Sequence, residues 1–530
     1  MAKFNKTKTV ESQLTTNLAG GEAYKESSKL ELVSLLLTSF AQSKFYEKEE
    51  KINQRLIDLI KENQPDFVAK AAIYARNEFA MRSISHITAA ELAKFISSQT
   101  WGKSFYNKII RRPDDMMEIL AYYMNKKGNK ITNSMKKGFA EAFSRFDAYQ
   151  LGKYRGEGKT FKLVDLANLV HPSPTLGDKF MVDVDRKEYI DIMKKKLQVT
   201  GKKKNNEKYI SSIKEKLSWA EKQESGNVKI HALEALVLDL LRSKGTFESE
   251  LSKAGQMGKT ETEKDAFKKE AWTTLLNERK IGYFALLKNL RNIIEQAPDM
   301  VDKACELLTD TKMIKNSLVL PFRFTTAFEE IEKLNGDTTN IRKVMRALNQ
   351  AIELSCVNVP KFNGRTLVVI DVSGSMNGRI GKIASLFGAV LVKSNDCDVL
   401  IFDTTARYIN VNTSDSITTI SNQLHFNGGG TDFHCIFNKI NKPYDRLIIL
   451  SDMQGWVGYH TPKAEFDQYC KRSNCHPNIF SFDLNGAGTL QFPENKIYAL
   501  AGFSDKVFEI MGMLEEDRQA LIHKIESVEL

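Results

Sequence analysis

The sequence predicts two folds in one chain: an α-solenoid of paired helices over residues 1 to 360, then a doubly wound α/β domain over 361 to 530. Three observations carry this. Apolar residues recur at helical spacing almost throughout residues 27 to 150. From residue 363 the pattern switches to short apolar runs alternating with helical stretches. The charge divides at the same place, with 16 basic against 19 acidic residues over 356 to 530, net −3, and 61 against 47 before it, net +14. A chain of 530 residues, 42% hydrophobic, also exceeds what one core holds, since single cores stop growing near roughly 250 to 300 residues.

In SSKLELVSLLLTSF the serines offer an N-cap ahead of Leu32, Val33, Leu36 and Phe40. KINQRLIDLI sets Ile52, Leu56, Leu59 and Ile60 on one stripe, and PDFVAKAAIYA follows, opened by Asp66. Further helices are predicted over SISHITAAELAKFI, DDMMEILAYYMN and SMKKGFAEAFSRF. Helix pairs thus return about every 35 to 45 residues, the spacing of helical-hairpin arrays. Such arrays bury one face of each helix and leave long surfaces free for charge. Lysines occupy them: Lys126, Lys127 and Lys130, then Lys136 and Lys137, then MKKK at 193–196 and GKKKNN at 201–206. The last two clusters lie in a polar stretch without clear periodicity, read as a mobile insertion extending toward residue 270. Collectively the clusters suit a polyanion, nucleic acid being the commonest, although a single lysine is more often a solvated helix face.

In the second part, TLVVIDVS, DVLIFD, DRLIILSD and NIFSFDL read as strands, with IGKIASLFGAVLVKS and DSITTISNQL as helices. Ligands of such sheets bind at the carboxyl ends of the strands, where strand order reverses. There the sequence places DVSGS, giving Asp371, Ser373 and Ser375; NGGGTDF, giving Thr431; and the strand-terminal Asp452. Hydroxyl and carboxylate oxygens from three loops suit one hard divalent cation, Mg²⁺ above all, and with only two carboxylates such a site stays electrophilic toward an outside anion. A serine-rich turn capping a helix is the plain alternative for DxSxS alone.

The constellation DxSxS, GGTD and strand-terminal Asp resembles the metal-ion-dependent adhesion site of von Willebrand factor A domains, which implies that Ser373, Ser375 and Thr431 ligate directly or through water while Asp371 and Asp452 neutralise charge. An A domain behind a basic helical array in turn resembles the Ro ribonucleoprotein autoantigen family, defined by its TROVE module. NLAGGEAYKES, YARNEFAMRS, RRPDD, KGFAEAFSRFDAYQLGKY, LVHPSP, LLKNLRN and PFRFTTA carry the likeness in order. It implies a monomeric ring of HEAT-type helical repeats that binds small noncoding Y RNAs on its outer surface. It also implies a central cavity admitting single-stranded 3′ ends of misfolded RNA, and an exoribonuclease or other protein as partner through the A domain. Lys153 and His171 match family positions implicated in RNA contact. Arg155 and Lys159 lie in the same basic segment, whose length differs by about one residue, and the 193–206 stretch departs from the family's spacing. Arg82, Arg111, Arg112, Lys136 and Lys137 are further candidates, with helix-terminal salt bridges the rival account of the arginines.

Other classes fit less well. GKYRGEGKT at 152–160 is not a phosphate-binding loop, because five residues separate Gly152 from Gly158 where the motif needs four. Neither a GxSxG elbow, an HExxH pair nor an acidic two-metal cluster is present, so a non-catalytic protein is expected. A metal-dependent protein-binding adaptor without a specific RNA role is the alternative. The six cysteines are read as reduced thiols, Cys470, Cys475 and His476 being too few for a zinc motif. Without a secretion signal or a run of about 20 apolar residues, a cytoplasmic protein off the membrane is expected.

Overall fold

The computed structural model describes residues 13–38, 49–127, 130–156, 159–200, 207–224, 226–241, 251, 260–317, 319–335, 338–359, 361–424, 428–458, 460–493, 497–501, 511 and 520–530. The chain forms two compact units, one of Met1–Ile84 with Ala254–Glu529 and one of Ser85–Lys253.

The first unit is built on strands β1 (Leu14–Thr16) and β2 (Glu22–Lys25), with β5 (Thr366–Asp371), β6 (Cys397–Phe402), β7 (Ala406–Ile409), β8 (Arg446–Ser451), β9 (Asn478–Asp483), β10 (Thr489–Leu490) and β11 (Tyr498–Ala501); β3 (Met181–Asp185) and β4 (Asn227–His231) belong to the second unit. The main sheet runs β11-β9-β8-β5-β6-β7, parallel except for β7. Every residue of TLVVID in β5 and RLIILS in β8 is buried, as strands covered on both faces must be, which is why they read as continuous apolar runs. From β5 the chain moves outward on one side to β6 and returns to β8 on the other. The switch point therefore lies between β5 and β8.

Four predicted strands and the helices Arg379–Ser394 and Ile417–Gln423 are present. Unforeseen are β7 and the sheet β1-β2-β10, short segments whose partner strands supply the pairing. By this route the N-terminal segment enters the α/β domain. The helices Ser28–Thr38, Glu49–Glu62 and Pro65–Asn77 follow it, Ser27 Oγ accepting from the Leu30 amide at the first. Further helices run from Glu261–Asn277 to Thr338–Ser355. Helix Thr338–Ser355 caps helix Ile417–Gln423: Glu353 Oε1 accepts the Ile417 amide at 2.6 Å, and Asn349 Oδ1 accepts the Thr418 hydroxyl at 2.8 Å.

The second unit is helical. Helices Gly102–Ile109, which sequence periodicity did not reveal, and Asn133–Phe143 pack closely because position 138 is glycine: a Cβ there would lie 2.5 Å from Tyr106 Cβ. Thr132 caps the latter helix by accepting the Met135 amide. Of the stretch expected as a mobile insertion toward residue 270, residues 193–200, 207–221 and 261–270 are helical, whereas 201–206, 242–250 and 252–259 lie outside the described residues. Lys194, Lys195 and Lys196 sit within helix Arg186–Thr200, packed on helix Glu207–Glu221, and the antiparallel pair β3–β4 ties their outer ends. The apolar stripe is only Tyr189 and Met193 on one helix, Ile213 and Ala220 on the other, too sparse to emerge from the lysines around it. The GKKKNN cluster at 201–206 lies outside the described residues.

Candidate metal centre and nucleic-acid interface

At the carboxyl end of β5 the chain turns sharply, and the turn holds the first carboxylate. Asp371 Oδ1 accepts the Ser373 amide at 2.9 Å, and Oδ2 accepts the Ser451 hydroxyl at 2.5 Å from the neighbouring strand β8. Ser373 and Ser375 hydroxyls stand 3.4 Å apart. Gly374 donates to the Gly429 carbonyl at 3.0 Å, which brings in the glycine loop, and Thr431 links that loop to the one after β8 by accepting the amides of Trp456 and Val457. Asp371, Ser373, Ser375, Thr431 and Asp452 are all at most 5% exposed; these bonds tie together the loops that carry the first four, and Asp452 follows Ser451 at the end of β8, close to Ser375 and Asp371.

Burial dominates the electrostatics of the two carboxyls, with acid–acid repulsion added to it. Asp371 is raised well above the usual carboxylate range, first by burial and further by the charge of Asp403, against the hydrogen bonds that favour its anion. Asp452 is raised too, by burial and then by Asp371, with the nearby Ser375 hydroxyl offsetting this in part. Asp452 Oδ1 accepts the Gln454 amide, but Oδ2 is buried with no hydrogen-bond partner among the described residues. An orphaned carboxylate oxygen beside a set of hydroxyls fits a hard divalent cation. Among the described residues no group of three or more His, Cys, Asp or Glu forms an alternative metal cluster.

Asp403 is a neighbour of this site that sequence reasoning misses. It follows β6, is 5% exposed, and lies against Gly429, where a Cβ would meet its carboxyl at 3.4 Å. A signal exists: DVLIFD ends in Asp as DRLIILSD does, and adjacent parallel strands bring their ends together. Cys470 and Cys475 are free thiols, Cys470 pushed up to about 11 by burial and by the neighbouring Cys475.

A pH dependence follows. Without a cation, the raised carboxyls stabilise the fold at acid pH, and this contribution is lost as pH rises from the ordinary carboxylate value through the raised one. A bound cation reverses the sign by favouring the carboxylates. Adding Mg²⁺ should therefore raise the melting temperature more at pH 8 than at pH 5; thermal melts at both pH values check it.

The basic candidates differ in how they are committed. Arg112 grips Asp114 with two bonds, at 2.9 and 2.6 Å, and lies 4.7 Å over the Tyr154 ring. Arg155 is held by the Leu241 carbonyl at 2.7 Å, with Asp239 at 3.6 Å. Lys159 reaches Glu118 at 3.2 Å. Lys153 ends helix Ala148–Lys153, its ammonium 5.7 Å from the Tyr154 ring centre. His171 is exposed in the left-handed region, φ 53°, capping helix Leu163–Val170. Lys136 is half-buried and Lys137 exposed on helix Asn133–Phe143, and Arg111 is exposed just ahead of helix Pro113–Lys127. All of these lie in the second unit, whereas Arg82 is half-buried in the first.

A doubly wound sheet with a hydroxyl-lined acidic crevice at its switch point, joined to amphipathic helix pairs, defines a helical-repeat protein carrying a von Willebrand A-type domain. The TROVE domain matches residues 23–373, about two thirds of the chain, and the chain belongs to the TROVE domain family. It is 22% identical over 428 residues to RNA-binding protein RO60 of Caenorhabditis elegans, covering 69% of this chain and 66% of that protein. To telomerase protein component 1 of Rattus norvegicus it is 22% identical over 300 residues, 52% of this chain but only 11% of that much longer relative. The crystal structure of the Deinococcus radiodurans RO (RSR) protein superposes with a TM-score of 0.58 at 15% identity, covering 90% of this chain and 97% of that one, and so shares the fold.

Proposed function

We propose that this chain is a non-catalytic RNA-binding protein of a small cytoplasmic ribonucleoprotein. The observation that carries the reading is the charge partition: in a TROVE-family chain whose relatives include proteins named as RNA-binding, the net +14 lies wholly before residue 356. Lysine and arginine heads on helix faces attract phosphates without reading sequence, so the RNA is selected by shape and by accessible single strands. Structured noncoding RNA of the Y type on the basic outer surface, and single-stranded 3′ ends of misfolded or fragmentary RNA in a central cavity, are the ligands this suits. The second role belongs to the A domain. Ser373, Ser375 and Thr431, with Asp371 and Asp452, would hold Mg²⁺, which supplies a Lewis-acidic point for an acidic side chain of a partner protein, an exoribonuclease being one candidate. The protein acts as a monomer.

Replacing Lys136, Lys137 and Lys153 together by glutamate tests the reading. The variant should bind a structured RNA at least about ten-fold more weakly, and every phosphate left without its lysine should lower the slope of log affinity against log salt by about one. Filter binding at several salt concentrations measures both. Unchanged affinity and slope would favour a protein-binding adaptor.

A further inference from the structure

The helices that carry the Lys-rich stretch 193–196 have no role in the reading above, yet they wall a cavity. It measures about 380 Å³ and opens in the second unit between helix Leu163–Val170 with its following loop, helices Arg186–Thr200 and Glu207–Glu221, and helix Ala232–Val237. Sites for small ligands run from about 300 to 1,000 Å³, so one nucleotide fits and a duplex does not. Met193 and Ile213 form part of an apolar floor.

The polar groups around it divide into those already used and those left over. Glu234 is used at both oxygens, accepting the Tyr189 hydroxyl at 2.9 Å and the Lys216 ammonium at 2.7 Å. His231 is used at both ring nitrogens. Its Nδ1 accepts the Leu233 amide at 3.1 Å, so Nε2 carries the proton and donates to the Thr175 carbonyl at 3.1 Å. Among the side chains left over, with Asn168 and Ser212, three on three different elements carry the charge and the ring that matter here. Lys196 is half-buried and has no hydrogen-bond or ion-pair partner among the described residues. Burial, together with the repulsion of Lys216, pushes it below the ordinary lysine range against the pull of Glu234. Tyr209 is 50% exposed with no partner for its hydroxyl among the described residues, and His171 stands exposed at the cavity edge.

We propose that this cavity binds one unstacked nucleotide, its phosphate on Lys196 with His171 alongside, and its base against the Tyr209 ring. A half-buried ammonium beside a second lysine, with the Glu234 carboxylate already spent, is relieved by an anion. An exposed aromatic above an apolar floor supplies the stacking platform that any base accepts. The nucleotide belongs either to an RNA strand, in which case the inference rests on the RNA-binding reading, or to a free nucleoside monophosphate, in which case it does not.

The test uses the full chain with two probes, uridine monophosphate and a single-stranded ten-residue uridine RNA carrying one 4-thiouridine. The variants are Lys196→Gln, Tyr209→Ala and Tyr209→Phe, each compared with wild type by thermal melting to show that the fold is kept. The expected result is a crosslink from 4-thiouridine into residues 186–221, with RNA affinity about ten-fold lower in Tyr209→Ala and Lys196→Gln and near wild type in Tyr209→Phe. A purely structural tyrosine would not show that pattern with unchanged melting. If wild type binds no RNA but binds uridine monophosphate, with loss in the same two variants, the RNA-binding reading fails and the cavity is a free-nucleotide site. If RNA binds the wild type and all three variants equally, without the crosslink, and the monophosphate does not bind, the cavity assignment is overturned while the RNA-binding reading stands.

Discussion

Exchanging Ser373 and Ser375 together for alanine is expected to abolish divalent-cation binding, lowering Mg²⁺ affinity by at least about 100-fold, since even outer partners of metal ligands are worth 10- to 100-fold. The physical reason is the scarcity of charge in the crevice. Two carboxylates supply attraction, but both are held toward their neutral forms by burial and by neighbouring acids. Hydroxyls would have to complete the shell, and the two serine oxygens stand 3.4 Å apart in one turn. Neither serine is large, so the fold should survive: the apo variant should melt within about 1 to 2 °C of wild type, as expected where little buried surface is lost. Calorimetric titration with MgCl₂ reads the affinity. An undiminished isotherm would remove these residues from the site.

Gly21→Ala is expected to have the second large effect, at a position far in sequence from every predicted ligand. A Cβ at residue 21 would overlap the Gly455 carbonyl oxygen and lie 2.6 Å from Trp456 Cα. Both obstacles are backbone, so the N-terminal segment or the loop after β8 must shift. That loop follows Asp452, supplies the amides that hold Thr431, and is fastened to the same N-terminal segment: Asn17 donates to the Gly455 carbonyl at 2.5 Å, and the Leu18 amide to Gln454 at 2.8 Å. Overpacking of this kind costs about 1 to 3 kcal/mol. The variant should lose that much stability in denaturant titration and also bind Mg²⁺ more weakly, although residue 21 touches no ligand. Wild-type metal affinity alongside the stability loss would mean that the clamp does not position the site.

The difference between these two positions shows what the sequence could and could not display. Asp371, Ser373, Ser375, Thr431 and Asp452 follow apolar runs or glycines at short spacing, so local pattern plus the switch-point rule places them at one edge. Gly21 reads as an ordinary turn residue, because its constraint comes from Gly455 at the other end of the chain. The same holds for β1, β2 and β10, which are two to four residues long and exist by long-range pairing. Asp403 is visible as a strand-terminal acid but counts for nothing until β6 is known to neighbour β5. In the helical part, long stripes such as Ile52, Leu56, Leu59 and Ile60 are legible, while the helices at 186–200 and 207–221 are hidden because few buried positions stand among many lysines.

Polyanion capture and cation chelation belong to separate parts of the chain in this mechanism, and one measurement addresses that most directly: the affinity of a single-stranded RNA for the full chain, titrated against monovalent salt, for wild type and S373A/S375A in parallel. Two superimposable lines are predicted, with affinity falling steeply and linearly in log salt, because counterion release from the basic part sets the slope. A flat dependence, or a serine variant whose RNA affinity collapses at every salt concentration, would contradict that separation.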